Sequence, residues 1–178
     1  MSETFSCRLN LDRVHDGTRI DLVATDAERA DIARRLGLVS LDRLAAHCVL
    51  DHLGPGNPGT TIRARGRIKA SLAQACVATD EPLAAFVDEP FELQFQPEPT
   101  RVPDDEIELS GDELDTIFHD GLAIELGEAI ADTLAVSIDP YPRGPNAEVA
   151  LQAAGVLSEE QAGPFAALAA LKGKLGEE

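Results

Sequence analysis

From residue 62 to residue 70 apolar and cationic side chains alternate, with Ile62, Ala64, Ile68 and Ala70 on one parity and Arg63, Arg65, Arg67 and Lys69 on the other. Successive side chains of a strand point to opposite faces, so this run is a strand with one buried and one wet side. A slip of one residue would bury four cations, which pins its register. A chain with such a strand needs an apolar layer on one side of a sheet and water on the other, as antiparallel sheets allow.

Other segments repeat the period. Phe91, Leu93 and Phe95 alternate with Glu92, Gln94 and Gln96; Leu44, Ala46, Cys48 and Leu50 share one parity; Ile20 and Leu22 alternate with Arg19 and Asp21. Phe5, Cys7, Leu9 and Leu11 predict a first strand, and His15-Asp16-Gly17-Thr18 a turn after it. Asp80-Glu81-Pro82 separates the two longest strands. The sum is an antiparallel sheet, meander-like or barrel-like.

Helices answer to a different spacing. Thr25 precedes Glu28 by three residues as a capping box, Ala27, Ile32, Ala33 and Leu36 share a face, and Gly37 offers a left-handed stop. These signals predict a helix over 26–36, with mutually cancelling surface charges that suggest no function. Asp120-Gly121 marks a turn, after which Leu126, Ile130 and Leu134 predict a helix over 125–138, ended by Pro140-Tyr141-Pro142. The fold class expected is α+β, one domain over 1–178 with two or three helices against the sheet. Residues 54–59 read as a loop, 97–106 as an acidic, proline-rich linker, and 158–178 as a loosely held segment whose Phe165, Leu168 and Leu171 form an apolar edge.

Charge narrows the function. The chain carries a net charge of −17, and residues 80–139 hold one cation, Arg101, against 18 acids. Such a field repels phosphate and attracts cationic surfaces, which argues against broad, non-specific nucleic-acid binding. No apolar run is long enough to cross a membrane as a helix, and the start Met1-Ser2-Glu3-Thr4 is acidic where a signal peptide is basic, so a cytoplasmic location is expected. Cys7, Cys48 and Cys76 are odd in number and widely spaced, which suggests buried thiols in place of a disulfide or zinc framework.

Catalytic patterns are weak. Glu125, Glu128 and Asp132 put three carboxylates at helical spacing, the minimum for a metal-dependent hydrolase. No histidine accompanies them, and an acidic face opposite a Leu and Ile stripe is what an amphipathic helix shows. His47, His52 and His119 have no ordered arrangement with Ser71 or Ser137, and no phosphate-cradling glycine loop is present. No catalytic residue, cofactor or metal site is assigned.

Four pieces in order resemble the YceD family of large-subunit ribosomal RNA accumulation proteins. They are the hairpin Cys76-Val77-Ala78-Thr79-Asp80-Glu81-Pro82-Leu83, the stretch 120–128, the exit Leu134-Ala135-Val136-Ser137-Ile138-Asp139-Pro140-Tyr141-Pro142, and the ending 164–172. The resemblance implies a role in the synthesis, processing or stability of ribosomal RNA during large-subunit assembly, without an established catalytic mechanism. Many relatives show a Cys-x-x-Cys pair at the hairpin; here the stretch is Ala73-Gln74-Ala75-Cys76, one thiol of the two. The expected role is a non-catalytic adaptor or chaperone for a basic ribosomal protein or assembly factor, with direct binding of pre-ribosomal large-subunit RNA as the alternative. Residues expected to meet a partner are Arg63, Arg65, Arg67 and Lys69 on the strand, Glu125, Glu128 and Asp132 on the helix, Tyr141, and Phe165, Leu168 and Leu171 in the tail.

Overall fold

A computed structural model describes residues 5–53, 61–98 and 116–156. In chain order these form β1 (Arg8–Asn10), a 3-10 turn (Leu11–Arg13), β2 (Thr18–Val23), α1 (Asp26–Leu36), β3 (Ser40–Leu53), β4 (Thr61–Ala75), β5 (Pro82–Pro97), β6 (Thr116–His119), β7 (Ala123–Glu125), α2 (Leu126–Ser137) and α3 (Ala147–Ala153). Five strands make one open sheet in the order β2-β3-β4-β5-β6, and β1 pairs with β7 in a second, two-stranded sheet. The protein is therefore α+β with a mostly antiparallel sheet, as the alternation requires.

Two compact units divide the chain: 1–74 with 84–140, and 75–83 with 141–178. In the first, the inward parity of each strand supplies one core. Leu44, Leu50, Ile62, Ala64 and Ile68 are fully buried, and Val87, Phe91, Leu93 and Phe95 continue the layer on β5. Leu126, Ile130 and Leu134 of α2 are also fully buried in this cluster, each adding about 1.5–3 kcal/mol of apolar burial.

α1 has the predicted limits for the predicted reasons. The Thr25 hydroxyl accepts from the Glu28 N–H, the Glu28 carboxylate returns to the Thr25 N–H, and Gly37 adopts φ 65°. Two departures follow from strand pairing between distant segments. The first strand is only Arg8–Asn10, because its partner β7 offers three register pairs, and Leu11–Arg13 turns instead of continuing the ladder. β6 lies parallel to β5, pairing Gln94 with Thr116 through Pro97 with His119, so the sheet is a meander only as far as β5. Pro97 closes β5, and the Glu98 N–H donates to the His119 carbonyl at 3.1 Å; linker residues 99–106 lie outside the described residues, as do loop residues 54–59 and 158–178.

The second unit is built on the connection between β4 and β5. The Cys76 N–H donates to the Glu81 carbonyl and the Asp80 N–H to the Cys76 carbonyl, with Asp80 at φ 59°. The Val77 N–H donates to the Pro142 carbonyl at 2.9 Å, and the Asn146 amide reaches the Glu81 carboxylate at 3.2 Å just before α3. Among the described residues no helix is long and apolar enough to cross a membrane.

Candidate functional site

Arg63, Arg65, Arg67 and Lys69 stand together on the face of the five-stranded sheet opposite the core. Arg19 on β2 and Arg43 on β3 have the same outward parity, and Asp21, Asp51, Asp88 and Glu92 are the acids among them, so six cations face four acids in a strongly acidic protein. Their ion pairs are graded along β4. Arg67 bonds the Asp88 carboxylate through Nε and its backbone carbonyl at 2.9 Å, and Lys69 reaches the same carboxylate at 3.4 Å. Hydrogen bonding from Arg67 holds the Asp88 carboxyl below the usual carboxylate range. Arg63 meets Glu92 only at 3.9 Å and Arg65 meets Asp51 at 3.8 Å, beyond hydrogen-bond length. The Nε of Arg63 is buried and has no hydrogen-bond partner among the described residues. Two residues before Asp88 on the same strand, Phe86 is 80% exposed.

The three helix carboxylates are brought to the wall of one depression of about 400 Å³, together with Arg8 and His119. Each faces a cation. Glu125 is the residue before the helix, in a non-helical conformation, and lies 3.4 Å from Arg8 Nε; Glu128 and Asp132 lie 3.7 and 3.2 Å from the Arg35 guanidinium. Arg35 therefore ties α1 to α2, a correction to the reading of the α1 charges as solvated surface without a role; Asp26–Arg29 and Asp31–Arg34 do pair within the helix. Among the described residues no cluster of three His, Cys, Asp or Glu side chains is placed to hold a metal, and these carboxylates do not form one.

The histidines are scattered. His47 lies on the outer face opposite Arg67, the His52 ring Nε2 meets the Val14 carbonyl at 2.8 Å, and the buried His119 accepts the Gly121 N–H through Nδ1 at 3.0 Å. The Asp120 carboxylate caps the same turn by accepting from Leu122 and Ala123 at 2.8 and 3.2 Å, which lowers its pKa. Tyr141 is 73% exposed, and Phe165, Leu168 and Leu171 fall outside the described residues.

Cys76 sits just past the end of β4, fully buried, and its sulfur accepts the Gly144 N–H at 3.3 Å. That bond, with the Thr79 hydroxyl and the Ala78 N–H, brings the thiol down to about 7 against the opposing effect of burial. At Cys48 burial dominates and pushes the thiol up to about 12. With Ala73 where a second thiol would stand, Cys76 cannot supply the ligand set of a structural zinc, and among the described residues no cluster of three His, Cys, Asp or Glu side chains is placed to hold a metal.

The sequence shows the β4 cations and Glu92 as an acid able to pair with them across the sheet, and it does not show Arg19, Arg43 and Phe86 beside them. Arg19 and Arg43 share the face by register alone, and Phe86 reveals itself only as an aromatic at the outward parity before Asp88.

Comparison with known proteins adds one positive finding. The family model described as large ribosomal RNA subunit accumulation protein YceD matches residues 64–172, more than half of the chain. No curated protein matches it, and no solved structure does.

Proposed function

Because the chain belongs to the YceD family, whose name is that of a large ribosomal RNA subunit accumulation protein, we propose that it supports large-subunit ribosomal RNA as a non-catalytic adaptor for a basic ribosomal protein or assembly factor in the cytoplasm. The observation that carries the adaptor role is the concentration of 18 acids against Arg101 in residues 80–139. This charge attracts a cationic partner and repels phosphate. Tyr141 and the tail residues Phe165, Leu168 and Leu171 supply apolar contacts in this reading. Purification of the tagged chain from cells at low and moderate salt tests it: a basic large-subunit protein or assembly factor should co-purify, and neutralising Asp104, Asp105, Glu106 and Glu108 should release it. Retention of isolated RNA by the purified chain would count against the adaptor.

A second reading rests on the outer sheet face, where Arg63, Arg65, Arg67 and Lys69 lie near the exposed Phe86. Cations along a sheet with an aromatic beside them can contact phosphates and stack a base. Each phosphate contact adds about 0.7 to 0.9 to the slope of log affinity against log salt. A slope that falls by that amount on replacing Arg65 with Gln supports this reading, and a chain without affinity for RNA rejects it.

A further inference from the structure

β2 is an edge of the five-stranded sheet, since the order β2-β3-β4-β5-β6 places no strand beyond it. In an antiparallel ladder alternate residues turn their N–H and C=O toward the neighbour, and the residues between them turn theirs away. The Ala24 N–H donates to the Leu44 carbonyl at 3.0 Å, and Leu22 opposite Ala46 and Ile20 opposite Cys48 continue that register. The even residues of β2 therefore bond β3, and Arg19, Asp21 and Val23 aim their main-chain groups at the open side. Edges of this kind are commonly blunted by proline, lysine, a bulge or a covering element. Thr18–Val23 has neither proline nor lysine, its register with β3 is unbroken, and among the described residues no turn, loop or side chain bonds the main chain of Arg19, Asp21 or Val23.

The side chains of this edge are as open as its backbone. Arg19 and Asp21 are exposed on the outer face, and among the described residues neither has an ion pair or a side-chain hydrogen bond. Every cation of β4, by contrast, has an acid beside it. A second copy of the same edge supplies what is missing. Paired antiparallel about a two-fold axis at Ile20, Arg19 stands opposite the partner's Asp21, and Asp21 opposite the partner's Arg19. Each of these pairings joins residues whose N–H and C=O face outward, so each exchanges two main-chain hydrogen bonds. The neighbouring registers that keep those bonds set Arg19 against the partner's Arg19 or Asp21 against the partner's Asp21, and like charges directly opposite are destabilising. Charge thus selects one register.

We infer that the β2 edge is a docking surface for a second copy of this chain, with Arg19 and Asp21 joining the two sheets into one. The contact is self-complementary and closes at two copies. Its axis is perpendicular to the sheet, so both outer faces lie on the same side and the β4 cations of the two copies share one surface. A six-residue edge buries little area, which makes the pairing weak and dependent on concentration. The inference is independent of the ribosomal role.

Sedimentation equilibrium of the full chain reads the association at about 0.15 M NaCl, where a Debye length of about 8 Å screens the general repulsion between two acidic chains more than it screens contact pairs. The mass should rise with concentration from 18.9 kDa toward twice that value. Arg19→Asp and Asp21→Arg each set like charges opposite one another and should each weaken self-association about tenfold or more. Mixed together, the two variants should associate as the wild type does, because every facing pair is then of opposite charge, and Arg19→Asp/Asp21→Arg in one chain should do the same. That recovery also shows that the single variants fold. Amide exchange at Arg19 and Asp21 should slow as concentration rises, while Ile20 and Leu22, already bonded to β3, change little. A monomer at every concentration would overturn the inference. A dimer that both single variants retain places the interface elsewhere and overturns it, as does a loss that mixing does not reverse. Exchange at Arg19 and Asp21 that is indifferent to concentration overturns it too, since the edge is then either covered within one chain or open in the dimer.

Discussion

Gly127, in the first turn of α2, is packed against the backbone of Phe5 so closely that a Cβ built on it would come 1.4 Å from the Phe5 carbonyl oxygen. The obstacle is main chain, which cannot rotate away as a side chain can. Gly127→Ala should gain up to about 1 kcal/mol in helix propensity. It should lose more by forcing α2 from the N-terminal segment, since overpacking costs about 1–3 kcal/mol or more. A thermal midpoint several degrees below wild type is expected, and an unchanged or raised midpoint would contradict the packing.

Glu28 sets a pH dependence for α1. Partial burial raises its pKa, but hydrogen bonds from the Ser6 hydroxyl and N–H and from Thr25 outweigh it and bring the group from 4.5 to about 2. A carboxyl lower in the folded than in the unfolded state stabilises fully above the unfolded value, and that contribution is lost as pH falls through the folded one. Wild type should therefore exceed Glu28→Gln in stability at pH 7, with the gap closing between about 4.5 and about 2. Thr25→Ala, which removes the other half of the box, should cost about 1 kcal/mol. Urea midpoints for the three proteins across this range check both statements.

Cys76 and Cys48 should titrate far apart although both are buried. Thiolate absorbance in variants that keep one cysteine should place Cys76 near 7, because the Gly144 N–H, Thr79 and Ala78 donate to it, and Cys48 near 12, because burial there is uncompensated. In Cys76→Ala the Gly144 amide loses its acceptor and its hydrogen exchange should accelerate. Overlapping titrations of the two thiols would show that the donors do not reach the sulfur.

The parts of the fold that declared themselves in the chain are those governed by local periodicity and capping. β4 could be read because cations at four consecutive outward positions leave one register, and α1 because Thr25, Glu28 and Gly37 stand at the spacing of a capping box and a left-handed stop. What stayed hidden depends on partners distant in sequence. Thr116–His119 is short and joins β5 in parallel, a relationship that no local pattern encodes, although Thr116-Ile117-Phe118 before the Asp120-Gly121 turn is strand-forming. α3 has only seven residues, preceded by Asn146, and too few turns for a stripe to show. Within the candidate site the arginines were visible and their gradation was not, because the acids that answer them, Asp51, Asp88 and Glu92, come from two neighbouring strands.

The central claim is that this chain sustains large-subunit ribosomal RNA by binding through its acidic middle segment. The most direct measurement is the ratio of large- to small-subunit ribosomal RNA in cells depleted of the protein and supplied with wild-type or altered chain. The account predicts a lowered ratio on depletion and recovery with wild type. Glu125→Gln/Glu128→Gln/Asp132→Asn should restore at least part of the ratio, because the proposed role contains no catalytic step. Chain neutralised at Asp104, Asp105, Glu106 and Glu108 should fail to restore it. A ratio untouched by depletion, or fully restored by the chain neutralised at 104–108, would contradict it.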